Sequence, residues 1–239
     1  MDVAGLVRHV AGLVLPAHCP GCGVMLPPGA TWCAPCEDTL LPVDAAASCP
    51  VCQDLAGAQT CARCRAAPPP FDAVVAAFAW GGAVKDAIHR MKFSGAAWAA
   101  EPLARRAWPD GAALPGGVDV VVPLPLHPAR HRARGYNQAA LLARRWAALL
   151  GVPLAPAALA RTRATAAVAD LAPAQRASAV AGAFSVAQPA RVRGRRVLLV
   201  DDVVTTGATA REAAAVLKAA GAASVRVACV ARGGAGAEP

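Results

Sequence analysis

The stretch Arg196-Val197-Leu198-Leu199-Val200-Asp201-Asp202-Val203-Val204-Thr205-Thr206-Gly207-Ala208-Thr209 decides the fold class of this chain. Four apolar residues, Val197 to Val200, read as a short buried strand with two carboxylates at its carboxyl end. A Thr-Thr-Gly turn follows, then an alanine-rich helix through Arg211, Val216, Leu217 and Lys218. Ligands of open α/β sheets bind in the crevice beyond the carboxyl ends of the strands. There, Asp201 and Asp202 can accept hydrogen bonds from a vicinal diol or reach a metal. The turn Thr205, Thr206, Gly207, Ala208 and Thr209 offers backbone N–H groups and hydroxyls at a helix N-terminus, where a phosphate is held. A diol beside a phosphate describes a ribose 5-phosphate.

Working outward, strands and helices alternate. Gly194 precedes the quoted strand, and Gly221 ends the following helix before an apolar strand over Val225–Val230. Towards the amino terminus, Val118–Val122 reads as a buried strand broken by Pro123. Asn137 caps a helix running to Leu150, with Gly151 at its carboxyl end. Phe71–Phe78 reads as a strand. The helix after Gly81-Gly82 carries Val84, Ala87, Ile88 and Met91 on one face, and a second helix over Ala97–Trp108 ends at Pro109-Asp110-Gly111. Leu154–Phe184 holds few large apolar side chains and is predicted to be partly irregular. The alternation predicts an α/β fold with a doubly wound, mainly parallel sheet.

The cysteines define a second unit. Eight of the nine fall into pairs two residues apart: Cys19/Cys22, Cys33/Cys36, Cys49/Cys52 and Cys61/Cys64. That spacer turns both thiolates onto one tetrahedral ion, and two such knuckles complete a Cys₄ zinc site. Four knuckles supply two structural zinc ions. Sequential and cross-braced pairing both satisfy the spacing; the repeated Cys-Pro opening at Cys19-Pro20 and Cys49-Pro50 favours two tandem ribbons and hence the sequential scheme. Cys229, inside an apolar run, reads as core packing. Residues 1–67 are expected to form this double ribbon and residues 71–239 the α/β domain, separated by the stiff Ala66-Ala67-Pro68-Pro69-Pro70.

Composition narrows the setting. Hydrophobic residues make up 56% of the chain, much of it alanine, yet no apolar run approaches the ~20 residues of a membrane span. Asp2, Arg8 and His9 interrupt the amino-terminal Val3–Leu15 stretch, which reads as an amphipathic helix rather than a signal peptide. Paired cysteines of metal-binding spacing point to a reducing, cytoplasmic location. Only three of 24 basic residues are lysines, so arginine carries the net charge of +9. Arginine's planar fork suits phosphate, although an arginine-rich composition also produces such a total.

The strand, acidic pair and Thr/Gly turn resemble the phosphoribosyl-pyrophosphate (PRPP) motif of type I phosphoribosyltransferases. Together with the cysteine knuckles, Lys92-Phe93, Val122-Pro123-Leu124-Pro125, the run Arg130…Arg134-Gly135-Tyr136-Asn137-Gln138 and Arg161-Thr162-Arg163-Ala164-Thr165, the chain resembles the ComF family. That family joins a zinc ribbon to a phosphoribosyltransferase-like domain and is associated with DNA uptake in bacterial competence. The resemblance implies ribose hydroxyls on Asp201 and Asp202 and the 5-phosphate on Thr205–Thr209. It also implies pyrophosphate or nucleic acid beside Arg130 and Arg134, and a mobile hood beginning at Arg161 and Arg163. Mg²⁺ would accompany PRPP, with Asp201 and Asp202 as catalytic residues of a glycosyl transfer to an acceptor the sequence does not mark. Val168 and Ala179 stand where relatives carry Gln and Asn, and neither can make an amide's hydrogen bonds. A different class of function remains beside this one: a non-catalytic competence factor. In that reading the ribbons and Arg130, Arg132 and Arg134 contact single-stranded DNA, or the ribbons dock a DNA-uptake helicase. Aromatic content of 4% offers few stacking platforms for such a strand.

Overall fold

The computed structural model describes residues 17–55, 57–108, 117–163 and 178–234. The expected amino-terminal helix, the Pro109-Asp110-Gly111 turn, Ala164-Thr165 and Val168 lie outside these residues. In chain order the elements are α1 (Ala34–Glu37), α2 (Ala62–Ala66), β1 (Ala73–Ala79), α3 (Gly82–Phe93), a 3₁₀ turn (Ala97–Ala99) and α4 (Ala100–Ala107). They continue with β2 (Val120–Pro123), α5 (Pro128–Arg134), α6 (Gln138–Leu150), β3 (Leu159–Arg161) and β4 (Phe184–Val186). After a 3₁₀ turn (Pro189–Arg191), β5 (Arg196–Val204), α7 (Ala208–Ala219) and β6 (Ser224–Arg232) complete the set.

Four strands form one parallel sheet in the order β1-β6-β5-β2. Parallel strands are buried on both faces, so their sequences read as continuous apolar runs whose alternate residues enter different cores. Val121, Leu198, Val200, Ala228 and Val230 pack under α3, α4 and α6, around the fully buried Trp146. Val120, Val122, Val197, Leu199, Val225 and Val227 pack instead against α7 and the β3-β4 pair. The amphipathic reading of α3 holds: Val84, Ala87, Ile88 and Met91 are all fully buried. Asn137 accepts from the Ala139 N–H at 3.0 Å and starts α6, which ends at Gly151.

The structure adds to the sequence reading at three places. The strand before the acidic pair runs on through both carboxylates to Val204, because Val203 and Val204 continue the ladder with Ala231 and Arg232. The stretch beyond β2, to which the sequence assigns no element, forms a helix, α5. His127 Nδ1 accepts from the Ala129 N–H at 3.3 Å, Pro128 opens the first turn and Gly135 closes the last. Within Leu154–Phe184, Leu159–Arg161 pairs antiparallel with Phe184–Val186.

Both edges of the sheet are covered. On the β2 side, Val121 donates to Pro153 O at 2.9 Å and accepts from Ala155 N at 2.8 Å. On the β1 side the cysteine-bearing segments do this. Val74 N donates to Val51 O and Ala79 N to Leu41 O, while Val43 N donates to Ala77 O. Such covering hides the row of unpaired amides that makes an edge strand a template for foreign chains.

Candidate functional site

The cysteines converge in two groups, Cys19, Cys22, Cys33 and Cys36, and Cys49, Cys52, Cys61 and Cys64, with the four sulfurs of each within 4.8 Å of one another. This is the sequential pairing. Cys22 and Cys33 Sγ lie 3.6 Å apart, and Cys52 and Cys61 Sγ 3.7 Å apart. Four thiolates about 2.3 Å from a central zinc stand roughly 3.8 Å from each other, so both groups fit a structural zinc ion. Burial pushes the Cys19 thiol up, but backbone N–H groups of Cys33, Cys22 and Gly21 outweigh it and bring the thiol down to about 7. Cys49 is treated alike by Cys61, Cys52 and Val51 and falls to about 6. Donors aimed at sulfur favour the thiolate, the form a metal takes. Cys229 sits in β6 opposite Asp201, buried and outside both groups.

At the carboxyl ends of the strands, β5 presents Asp201 and Asp202. Asp202 is 3% exposed and pairs with Lys92 Nζ, from the last turn of α3, at 2.7 Å. Burial works against its charge, but the Lys92 ammonium holds its carboxyl below the usual carboxylate range. Asp201 is pushed well above that range by burial and by the charge of Asp202 beside it. The pair is therefore split, with Asp202 the more readily ionised carboxyl and Asp201 the less readily ionised one. Thr205 and Thr206 follow, with Thr206 Oγ1 accepting from Ala208 N at 3.4 Å, and Gly207 as the N-cap of α7. The first N–H groups of this 12-residue helix, with the hydroxyls of Thr206 and Thr209, can bind an anion.

Arginines surround the acidic pair from two further elements. Arg161, on β3, is 8% exposed with its guanidinium 5.3 Å from the Phe184 ring centroid. Burial lowers its pKa first, then the positive charge of Arg130, while Asp201 acts the other way. Arg130 and Arg134 stand four residues apart on one face of α5. Arg134 is also lowered by burial, against the pull of Asp202. Much of the Arg134 fork is engaged inside the protein: Nε donates to Lys92 O at 3.1 Å and NH1 to Gln138 Oε1 at 2.5 Å. Tyr136 Oη donates to Met91 O at 2.5 Å, and Asn137 Nδ2 to Leu124 O at 3.0 Å. The Arg-Gly-Tyr-Asn-Gln run thus clamps the end of α3, and with it Lys92, over Asp202. Arg132 is exposed. Arg163 NH2 donates to the carbonyls of Ala179 and Ala181, which turns it back onto the segment before β4.

Two residues that sequence reasoning did not single out for the site matter here. Lys92 is one of three lysines in an arginine-dominated chain, and that rarity, with its place in the Lys92-Phe93 pair of the family resemblance, was the available signal. Arg232, at the end of β6, is 1% exposed and touches the Thr205 carbonyl; a charge closing an apolar strand at the carboxyl edge was its signal. Beside Lys92, three rings line up: Trp80 and His89 with centroids 5.6 Å apart, and His89 and Phe93 at 5.7 Å, Phe93 being 76% exposed.

Comparison with known proteins gives the family of the chain. Residues 137–239 match the phosphoribosyl transferase domain, which takes in β5, the Thr loop and α7. The chain is 36% identical over 180 residues to DNA utilization protein YhgH of Escherichia coli K12, covering 72% of this chain and 77% of that protein. It is 31% identical over 179 residues to Competence protein F of Haemophilus influenzae, covering 71% and 77%. The chain belongs to the ComF family. Among solved structures, the glutamine PRPP amidotransferase of B. subtilis overlays with a TM-score of 0.36 at 24% identity, over 60% of this chain and 26% of that one. This ComF-family chain therefore combines a phosphoribosyl transferase domain on a parallel sheet with two Cys₄ groups compatible with structural zinc. Among its described residues no helix is long and apolar enough to cross a membrane.

Proposed function

We propose that this chain binds PRPP and serves DNA utilization of the competence type. The 5-phosphate lies on Thr205–Thr209 at the start of α7, the ribose hydroxyls face Asp201 and Asp202, and the pyrophosphate lies towards Arg130 and Arg161. The observation that carries the reading is the convergence of an open helix N-terminus, a split acidic pair and buried or half-buried arginines at one end of the sheet. Asp201 would hold Mg²⁺, which would supply charge neutralisation to the bound phosphates. The chain's own residues orient the ribose, keep Asp202 ionised through Lys92 and surround the anion with fixed cations. Zinc at the two Cys₄ groups, in a unit spanning residues 1–67, is structural in this reading.

Calorimetry with Mg²⁺–PRPP and with inorganic phosphate tests it. Replacing Asp201 and Asp202 together by Asn is expected to weaken PRPP far more than phosphate, each charged hydrogen bond being worth about 1.5–3 kcal/mol. Equal losses for both ligands would contradict the assignment. Release of pyrophosphate in the presence of a panel of bases and amines then decides whether binding leads to transfer.

A second reading, contact with single-stranded DNA, is favoured by the row Trp80, His89 and Phe93 next to Lys92. Exposed rings beside cations are what stacked bases and their phosphates require. In that case affinity for a single-stranded oligonucleotide falls with salt at a slope near −0.7 per phosphate neutralised, and Phe93→Ala lowers it. A protein whose oligonucleotide binding is indifferent to both changes is not a strand binder at this face.

A further inference from the structure

Arg232 lies between the second Cys₄ group and the Thr loop, and its donors reach both. Nε donates to Cys52 O at 2.7 Å, and NH2 faces Asp54 Oδ2 at 3.4 Å and Cys52 Sγ at 4.0 Å. NH1 donates to Val204 O at 3.0 Å and to the carbonyls of Thr205 and Gly233. Asp54 is itself held by Arg63, at 2.7 Å, from the turn between Cys61 and Cys64. The loop and the chain after β6 lie flush: a Cβ on Gly233 would meet Thr205 Cγ2 at 3.0 Å.

A guanidinium stays charged in proteins, so a buried one requires acceptors for its donors. The knuckle supplies those acceptors only while its turn is closed, with Cys49 N on Asp54 O and Gln53 N on Cys49 O. That turn is fixed in place when its thiolates share a metal ion, because metal binding and local folding are one equilibrium. Hydrogen bonds around metal ligands also hold those ligands in position. The first Cys₄ group has no such route to the loop among the described contacts; Arg90 ties its knuckle to α3 through Gly21 O at 2.8 Å and Cys22 O at 2.6 Å.

We infer that Arg232 is a positioning residue that makes the order of the phosphate loop depend on metal at the second Cys₄ group and not at the first. Its consequence for ligand binding rests on the sugar-phosphate reading of the loop; the coupling itself does not. In the full chain, Arg232→Lys keeps the charge and loses the fork. It is expected to retain about two zinc per chain by elemental analysis, while affinity for ribose 5-phosphate falls about tenfold. A folded variant that binds ribose 5-phosphate as the parent does overturns the inference.

Amide hydrogen exchange gives a readout that needs neither ligand nor a stable Arg232 variant. Cys61→Ser, which breaks the second group, is expected to speed exchange at Thr205–Thr209, whereas Cys22→Ser, which breaks the first, leaves it slow. No change in Cys61→Ser, or equal loss in both variants, overturns the coupling. A parent chain that ignores ribose 5-phosphate while exchange follows the second group refutes the ligand assignment and supports the coupling.

Discussion

The two Cys₄ groups share one backbone design and are put to different uses. In each, the first cysteine accepts from the N–H four residues on and donates to the carbonyl five residues on: Cys19 with Gly23 and Val24, Cys49 with Gln53 and Asp54. In each, the third cysteine, Cys33 or Cys61, stands at the N-cap of a one-turn helix. The position four beyond the first cysteine is left-handed in both, Gly23 at φ 80° and Gln53 at φ 50°. A Cβ at Gly23 would meet Arg90 NH1 at 2.9 Å, so a side chain there would push the guanidinium off the carbonyls of Gly21 and Cys22. Gln53 carries a side chain in a conformation that costs about 1–2 kcal/mol. Its Oε1 accepts from Ala76 N at 2.5 Å, which closes an otherwise bare amide on the edge of β1. The first knuckle anchors a helix whose last turn carries Lys92 to Asp202; the second covers a strand and, through Arg232, holds the Thr loop. One turn chemistry thus serves the two halves of the site by separate routes.

The largest effect that would break this comparison is expected on removing a buried ligand of the second group. Cys64→Ser should lose about one of two metal equivalents and destabilise the chain by more than about 4 kcal/mol, a range that lost metals reach. Cys229→Ala should keep both equivalents. Elemental analysis with urea unfolding checks the pair, and a Cys64→Ser protein of parental stability would mean the knuckle carries none of the β1 edge.

The next effect lies on the first route. Lys92→Met leaves Asp202 buried and unpaired and is expected to cost about 3 kcal/mol. The Asp202 carboxyl is held low in the parent, so the pairing contributes stability above the unfolded carboxylate range and loses it as pH falls through the folded value. The variant's deficit should therefore be largest near neutrality and shrink in acid, as pH-dependent unfolding would show.

A smaller effect of opposite sign is expected between the two routes, at Asp201. Its carboxyl is raised, so the folded chain binds that proton more tightly than the unfolded one, and parental stability falls as pH rises through the raised value. Asp201→Asn should raise Tm at pH 7, flatten that dependence and weaken Mg²⁺–PRPP binding about tenfold. A drop in Tm at pH 7 would contradict the split carboxylate pair. The smallest effect sharpens the contrast between Gly23 and Gln53. Gln53→Gly relieves the left-handed strain that Gln53→Ala retains, so the two should differ by about 1 kcal/mol in urea unfolding, glycine being the milder.

The parts of the molecule that repeat or alternate were legible in the sequence. Val197–Val200 with its acidic pair, the Asn137 cap, the apolar stripe of α3 and the four cysteine spacings each rest on local periodicity. Contacts between distant segments were not. No pattern near Lys92 announces Asp202, 110 residues on by their numbers; nothing around Cys52 announces Arg232. The Arg-Gly-Tyr-Asn-Gln run was visible as a motif, but its use as a clamp on α3 depends on carbonyls of Met91 and Lys92 that any sequence would supply. Aromatic scarcity likewise hid the row at Trp80, because composition counts rings without saying that three of them meet.

The covered edge of β1 also bears on the order of events during synthesis. Ala73–Ala79 pairs with Arg226–Arg232, so its sheet partner leaves the ribosome some 150 residues later. At about 5–20 residues per second this interval lasts on the order of ten to thirty seconds. The cysteine segments that shield the opposite edge have already emerged by then. A nascent chain supplied with metal can meet the wait for β6 with one side of β1 closed, whereas a metal-starved chain meets it with both sides open.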